Sequence, residues 1–262
     1  MTKNYSKNSI NRTHTFRFKV PLPPDKGGYG GLKAPKLYRR SLQIPNPKIA
    51  PSLLAADFSR FGDEVKRMTD AGADMLHFDV MDGEFVPNFA ISPPLIAAVR
   101  QITEVPFDVH IMVTHPLRYI NALAEAGADF ITFHIESSDE PNEVISAIKA
   151  HGIKPGLAFS PKTSTAAVKP YLSDVDLILP MSVEPGFGGQ TFRPSTFEKI
   201  AELHQTAQKS EQRLHISIDG GVTTETASRA IREGVTILVA GTAIFRSQQP
   251  EVVIEKLRTG TP

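Results

Sequence analysis

Eight short apolar runs alternating with amphipathic stretches, a helix-ending Ala-Gly-Ala-Asp that occurs twice, and a length of 262 residues predict an α/β fold, a (β/α)8 TIM barrel. The runs read as strands at 48–52, 75–80, 107–112, 130–134, 154–159, 177–182, 214–219 and 237–240. Helices are expected between them, among others at 58–71, 117–126, 143–151, 195–209 and 224–233. Gly72, Gly127, Gly152 and Gly234 each suit the left-handed position where a helix ends and turns into a strand. Ala71-Gly72-Ala73-Asp74 and Ala126-Gly127-Ala128-Asp129 are an internal repeat of one strand–helix unit. No Gly-x-Gly-x-x-Gly follows the first strand, so a closed barrel fits better than an open dinucleotide-binding sheet.

Composition narrows the function. There is no cysteine, which excludes a disulfide framework and any cysteine-based zinc or redox site. No apolar run reaches the roughly 18–20 residues of a membrane span. The formal charge of +1 hides an asymmetry. Residues 1–47 carry ten Lys/Arg and a single acid, Asp25, whereas the remainder is acidic. The acidic body has no charge reason to seek nucleic acid. Residues 1–47 also lack apolar periodicity and hold a Pro/Gly-rich stretch at 21–31. They are expected to be a disordered basic extension or an upstream mis-start, with the barrel domain at 48–262. Their acid-poor, basic composition also fits an organelle transit peptide; otherwise the chain is expected in the cytoplasm.

In such barrels the chemistry gathers at the C-terminal ends of strands. His77 and Asp79 lie two apart near the end of the second strand and so face the same side. His110 lies near the end of the third and Asp219 ends the seventh. One such residue is usually a hydrogen-bonded polar group, but four at one mouth suit a divalent metal: zinc, manganese, iron(II) or cobalt. Gly220-Gly221 after strand seven and Gly241-Thr242 after strand eight occupy the recurrent phosphate site of these barrels, where backbone N–H groups meet the anion. A third loop, Pro185-Gly186-Phe187-Gly188-Gly189-Gln190, follows strand six and could close over a ligand. Met81, Met112 and Met181 at strand ends are either filler or an apolar ceiling that keeps water from a carbanion.

From Lys48 to about Phe245 the sequence resembles the ribulose-phosphate 3-epimerase family, a phosphate-binding barrel type. The resemblance is carried by Ile49-Ala50-Pro51-Ser52-Leu53-Leu54, the His77–Gly83 run with Phe85-Val86-Pro87-Asn88, and Asp108–Met112. It is completed by Met181-Ser182-Val183-Glu184 leading into Pro185–Gln190, and by Asp219-Gly220-Gly221-Val222. It implies that His77, Asp79, His110 and Asp219 hold the metal, with Asp79 and Asp219 as acid/base residues. It further implies that Ser52 and His110 contact substrate. Gly186, Phe187, Gly188 and Gly189, with Asp219, Gly220, Gly221, Gly241 and Thr242, correspond to the substrate and phosphate loops. Ala55 stands where the family often has serine, and Thr242 where it usually has serine but keeps the hydroxyl. The partners implied are a phosphorylated ketopentose and further copies of the chain, with no organic cofactor.

Inverting a carbon beside a ketone requires removing a proton from one face and returning one to the other. One base cannot reach both faces of a planar intermediate, so two are needed, here Asp79 and Asp219. A divalent cation stabilises the resulting enediolate charge as a Lewis acid. The implied reaction is the reversible conversion of D-ribulose 5-phosphate to D-xylulose 5-phosphate. Rival barrels fit less well. A Schiff-base aldolase needs an inward lysine near a strand end, and only Lys162 is near, since Lys154 opens its strand at the wrong end. Orotidine-type decarboxylases carry Asp-x-Lys-x-x-Asp where this chain has His77-x-Asp79-x-x-Asp82. Allulose-6-phosphate epimerase shares every motif and stays open. A catalytically silent sugar-phosphate sensor would need no second base.

Overall fold

The computed structural model describes residues 46–209 and 213–261. The readings made for residues 1–45 lie outside the described residues. Eight parallel strands run in the order β1-β8-β7-β6-β5-β4-β3-β2. They are β1 Lys48–Pro51, β2 Leu76–Met81, β3 Phe107–Met112, β4 Phe130–His134, β5 Lys154–Phe159, β6 Leu177–Pro180, β7 His215–Ile218 and β8 Ile237–Ala240. The sheet curls until β1 meets β2 through the Ser52–His77 bridge and the Met75 N–H donating to Ile49 O at 3.3 Å. The predicted barrel is the observed fold.

Helices α1 Phe61–Asp70, α2 Pro93–Arg100, α3 Ile120–Glu125 and α4 Pro141–Ala150 follow the first four strands. Then come α5 Thr196–Lys209, α6 Thr224–Glu233, α7 Thr242–Phe245 and α8 Pro250–Thr259. Local chemistry sets their ends. In α6 the Thr223 side chain accepts from the Thr226 amide while Thr226 returns a bond to the Thr223 amide, a reciprocal cap. Gly234 closes the same helix at φ 111°, a conformation glycine adopts without strain. Pro141 and Pro250 open α4 and α8, where a missing N–H costs nothing.

Three differences from the sequence reading have local causes. The stretches at 58–60 and 116–118 are 3-10 turns leading into α1 and α3, because Asp57 caps the first turn and Pro116 starts the second. The fifth connection holds no α-helix, only 3-10 turns at Thr165–Ala167 and Lys169–Tyr171. Pro161 and Pro170 interrupt that segment, and the Ser164 side chain caps the first turn. Helix α8 lies beyond the last element read from the sequence; Pro250 opens it and Gly260, at φ 64°, ends it.

Two apolar layers hold the barrel. Outward residues such as Phe78, Phe107, Phe133 and Phe159 are fully buried between strands and helices. Each contributes roughly 2–3 kcal/mol by leaving water. Inward residues, among them Met75, Phe130, Leu177, Leu179, Ile237 and Val239, fill the interior. That packing makes the barrel a plugged core, open for chemistry only at its mouth. At the other end Asp74 ties β1 to α8, accepting from the Ile49 amide at 2.8 Å and pairing with Arg258.

Candidate active site

Strand alternation and register assemble the site. On β2 the inward residues are His77, Asp79 and Met81; on β3 they are Asp108, His110 and Met112. The two strands pair with His77 beside Asp108, Asp79 beside His110 and Met81 beside Met112. Asp219 comes from the end of β7, where a bridge to Met181 prolongs the sheet. One ligand atom from each of His77, Asp79, His110 and Asp219 lies within 4.8 Å of the others. His77 and His110 are fully buried and Asp79 nearly so.

Each donor is aimed by a neighbour. His77 Nδ1 lies 2.8 Å from Asp108 Oδ2, so the ring's N–H is committed there and Nε2 faces the cluster. That Nε2 is buried and makes no hydrogen bond, lying 3.4 Å from Asp79 Oδ1 and 3.9 Å from Asp219 Oδ2. An orphaned imidazole nitrogen among carboxylates is the arrangement a metal ion satisfies, so the residues present fit the group. Asp79 Oδ1 also faces His110 Nδ1 at 3.2 Å, while its Oδ2 accepts from the Ser52 hydroxyl at 2.9 Å.

The two aspartates titrate far apart. Burial opposes ionisation of Asp79, but the His77 charge and the His110 hydrogen bond outweigh it and hold the carboxyl well below the usual range. For Asp219, burial and then the negative charge of Asp79 push the pKa up to about 6. One carboxyl thus stays ionised through the neutral range, while the other can carry a proton near neutrality. For His77, burial disfavours the charge, yet Asp79 and Asp108 prevail and hold it well above the ordinary histidine value. The pocket of negative potential favours a cation, whether proton or metal.

Above the cluster opens a cavity of about 790 Å³. Ser52, Asp79, Gly186, Phe187, Gly188, Gly189, Asp219, Gly220, Gly221, Gly241 and Thr242 all line it. His77 and His110 lie beneath its floor; the nitrogens of His110 face Asp79 and His134. Met81, Met112 and Met181 are buried and form part of the apolar lining. A side chain at Gly221 would place Cβ 2.4 Å from the Phe192 amide nitrogen, and the residue sits at φ 61°, so only glycine fits. At Gly241 the nearest atom to an added Cβ is that of Ala55, at 3.2 Å, which places the Ser-to-Ala departure beside the Gly241-Thr242 loop. The sixth loop is strapped by Gln190, whose amide donates to Glu184 O at 2.7 Å and Phe187 O at 2.9 Å. Asn88 ties it to the second loop through Gly186 O at 2.7 Å. A wider open groove of about 1020 Å³ beside α1 and α8 mixes Arg60, Glu64, Arg67 and Glu251 and holds none of the four ligand candidates.

Sequence reasoning missed four residues here. Asp108, His134 and Glu136 stand behind the cluster, and Arg246 is the one cationic side chain lining the cavity among the described residues. His134 ends β4, and the strand-end rule that found His110 would have found it too.

Fold and mouth together define a barrel enzyme with a metal-competent cluster of two imidazoles and two carboxylates. Residues 48–245 match the family model of the ribulose-phosphate 3 epimerase family, and the chain belongs to that family. It is accordingly an isomerase of the epimerase type. The ribulose-phosphate 3-epimerase of Bacillus subtilis is 43% identical over 212 residues, covering 80% of this chain and 98% of the relative. The cytoplasmic isoform of that enzyme from Oryza sativa is 45% identical over 215 residues, covering 80% and 92%. Among solved structures, Mycobacterium tuberculosis tryptophan synthase matches with a TM-score of 0.60 at 14% identity, covering 83% of this chain and 93% of that one. At that identity the likeness speaks for the fold alone. No helix among the described residues is long and apolar enough to cross a membrane.

Proposed function

We propose that this chain interconverts D-ribulose 5-phosphate and D-xylulose 5-phosphate by inverting C3. The observation that carries the reading is the convergence of Asp79 and Asp219 with His77 and His110 within 4.8 Å at one mouth, in a chain of this family. His77 Nε2, Asp79, His110 Nδ1 and Asp219 would hold one divalent ion, and two nitrogens with two carboxylates suit zinc, manganese, iron(II) or cobalt. Such an ion supplies Lewis-acid stabilisation of the negative charge that develops on the substrate oxygens.

The chain's own groups do the rest. One aspartate takes the C3 proton on its face, and the other returns a proton on the opposite face. Asp79 comes from β2 and Asp219 from β7, with β1 and β8 between them, so the carboxylates approach a bound sugar from different sides. Ser52 keeps Asp79 oriented. The buried methionines keep water from the planar intermediate. The phosphate rests on the loops at Gly220-Gly221 and Gly241-Thr242; at the second, the backbone N–H groups of the first turn of α7 have no intrahelical acceptor. Arg246 adds a positive charge at the rim. No organic cofactor enters the chemistry. The names of the relatives favour the pentulose phosphate over allulose 6-phosphate. A cytoplasmic homo-oligomer remains the expectation for the assembly.

Turnover of D-ribulose 5-phosphate and of D-allulose 6-phosphate, compared as kcat/KM, tests the reading. The pentulose phosphate should win by at least about tenfold, a difference of roughly 1.4 kcal/mol in transition-state binding. A preference for the hexulose, or no turnover of either, overturns it.

A further inference from the structure

Behind His110 runs a chain of polar groups, buried at His134 and reaching the surface at Glu136, that the reaction itself does not use. His110 Nε2 lies 2.9 Å from His134 Nε2, and the two rings stack with centroids 5.1 Å apart. His134 is fully buried, and its Nδ1 lies 3.0 Å from Glu136 Oε2. The other carboxylate oxygen of Glu136 accepts from the Ser160 amide at 2.7 Å and from the Thr163 hydroxyl at 2.5 Å. Lys199 steadies that loop by donating to Pro161 O and Thr163 O, both at 2.7 Å.

Hydrogen-bond direction propagates along this chain. Two donors claim Oε1 of Glu136, and a carboxylate only accepts, so His134 Nδ1 carries the proton. Burial opposes ionisation of Glu136, but the hydrogen bonds from His134 and Thr163 outweigh it and hold the pKa at about 2. The fully buried His134 ring has its proton on Nδ1, so its Nε2 is left as the acceptor for His110. His110 must then place its N–H on Nε2. The nitrogen left free to face a metal ion is Nδ1, which lies 3.2 Å from Asp79 Oδ1.

We propose that Glu136 and His134 are positioning residues that fix the tautomer of His110, making Nδ1 its metal-ligand atom. The inference rests on the reading of His77, Asp79, His110 and Asp219 as a metal site and extends it to two residues outside it. It parallels the direct Asp108–His77 contact, with one more imidazole in between.

The near-isosteric Glu136→Gln variant separates this role from a merely structural one. Ser160 and Thr163 hold the amide oxygen, so the amide NH2 turns to His134 and reverses the relay. His134 must then carry its proton on Nε2, and His110 on Nδ1. The expected result is a loss of about 10- to 100-fold in Zn(II) affinity of the metal-stripped protein, read by competition with a chromophoric chelator. A simple space-filling role would leave the glutamine variant within about threefold of the parent, and that result overturns the proposal. Nitrogen-15 spectra of histidine-labelled protein give a second readout that needs no metal. The parent should show His134 protonated at Nδ1, and Glu136→Gln should show it protonated at Nε2. The same tautomer in both proteins overturns the relay. Failure of the parent protein to bind Zn(II) overturns the metal reading instead, and the spectra then decide the relay alone.

Discussion

Asp79 is the residue on which the site turns. One oxygen faces both imidazoles and the other accepts from Ser52, so its position is fixed by β2, β3 and the residue just after β1. Burying a carboxylate this deeply is costly unless cations and donors surround it, and here they do. His77 is its counterpart, with Asp108 behind one nitrogen and the cluster before the other. Replacing His77 by Ala removes the one nitrogen of the four-residue cluster that makes no hydrogen bond. Bound metal measured by elemental analysis should fall at least tenfold (about 1.4 kcal/mol) while the circular dichroism spectrum is unchanged. Full metal content in His77→Ala would remove this residue from the ligand set.

At the scale of elements, short strands and glycine loops divide the labour. The strands carry side chains with chemistry, and in the proposed function the loops after β7 and β8 offer backbone to the phosphate. Gly241→Asp should leave the barrel folded, since the closest neighbour of the new Cβ is only the Ala55 methyl at 3.2 Å. A carboxylate about 5 Å from the phosphate costs on the order of 3 kcal/mol at an effective dielectric near 20, so KM should rise about 100-fold. An unchanged KM would place the phosphate elsewhere. The same division explains what the sequence made legible. His77, Asp79, His110 and Asp219 stood out because strand ends and two-residue spacing are local signals. The His110–His134–Glu136 chain did not, because its contacts arise from the bending of β3 and β4 around the barrel and from a loop after β5. The missing fifth helix was overlooked because eight strands suggested eight equal units, while Pro161 and Pro170 argued locally against one. Ala55 gained a meaning only when packing set it against Gly241.

At the scale of the molecule, one barrel suffices for the proposed chemistry. The family match spans residues 48–245, and the Bacillus subtilis relative aligns over 98% of its own length. Removing residues 1–46 should therefore keep kcat/KM within about threefold (roughly 0.7 kcal/mol) and leave the melting temperature in place. A tenfold loss in rate would make that segment part of the enzyme. The central claim is that the fold brings two acids, 140 positions apart in sequence, to opposite faces of one carbon. Isotope exchange at C3 in D2O tests it most directly, with metal content measured first in each variant. Asp219→Asn should stop epimerisation yet exchange the C3 proton of one epimer only, through the surviving Asp79. Asp79→Asn should exchange only the other. Equal exchange of both epimers in either metal-loaded variant would contradict the two-aspartate mechanism.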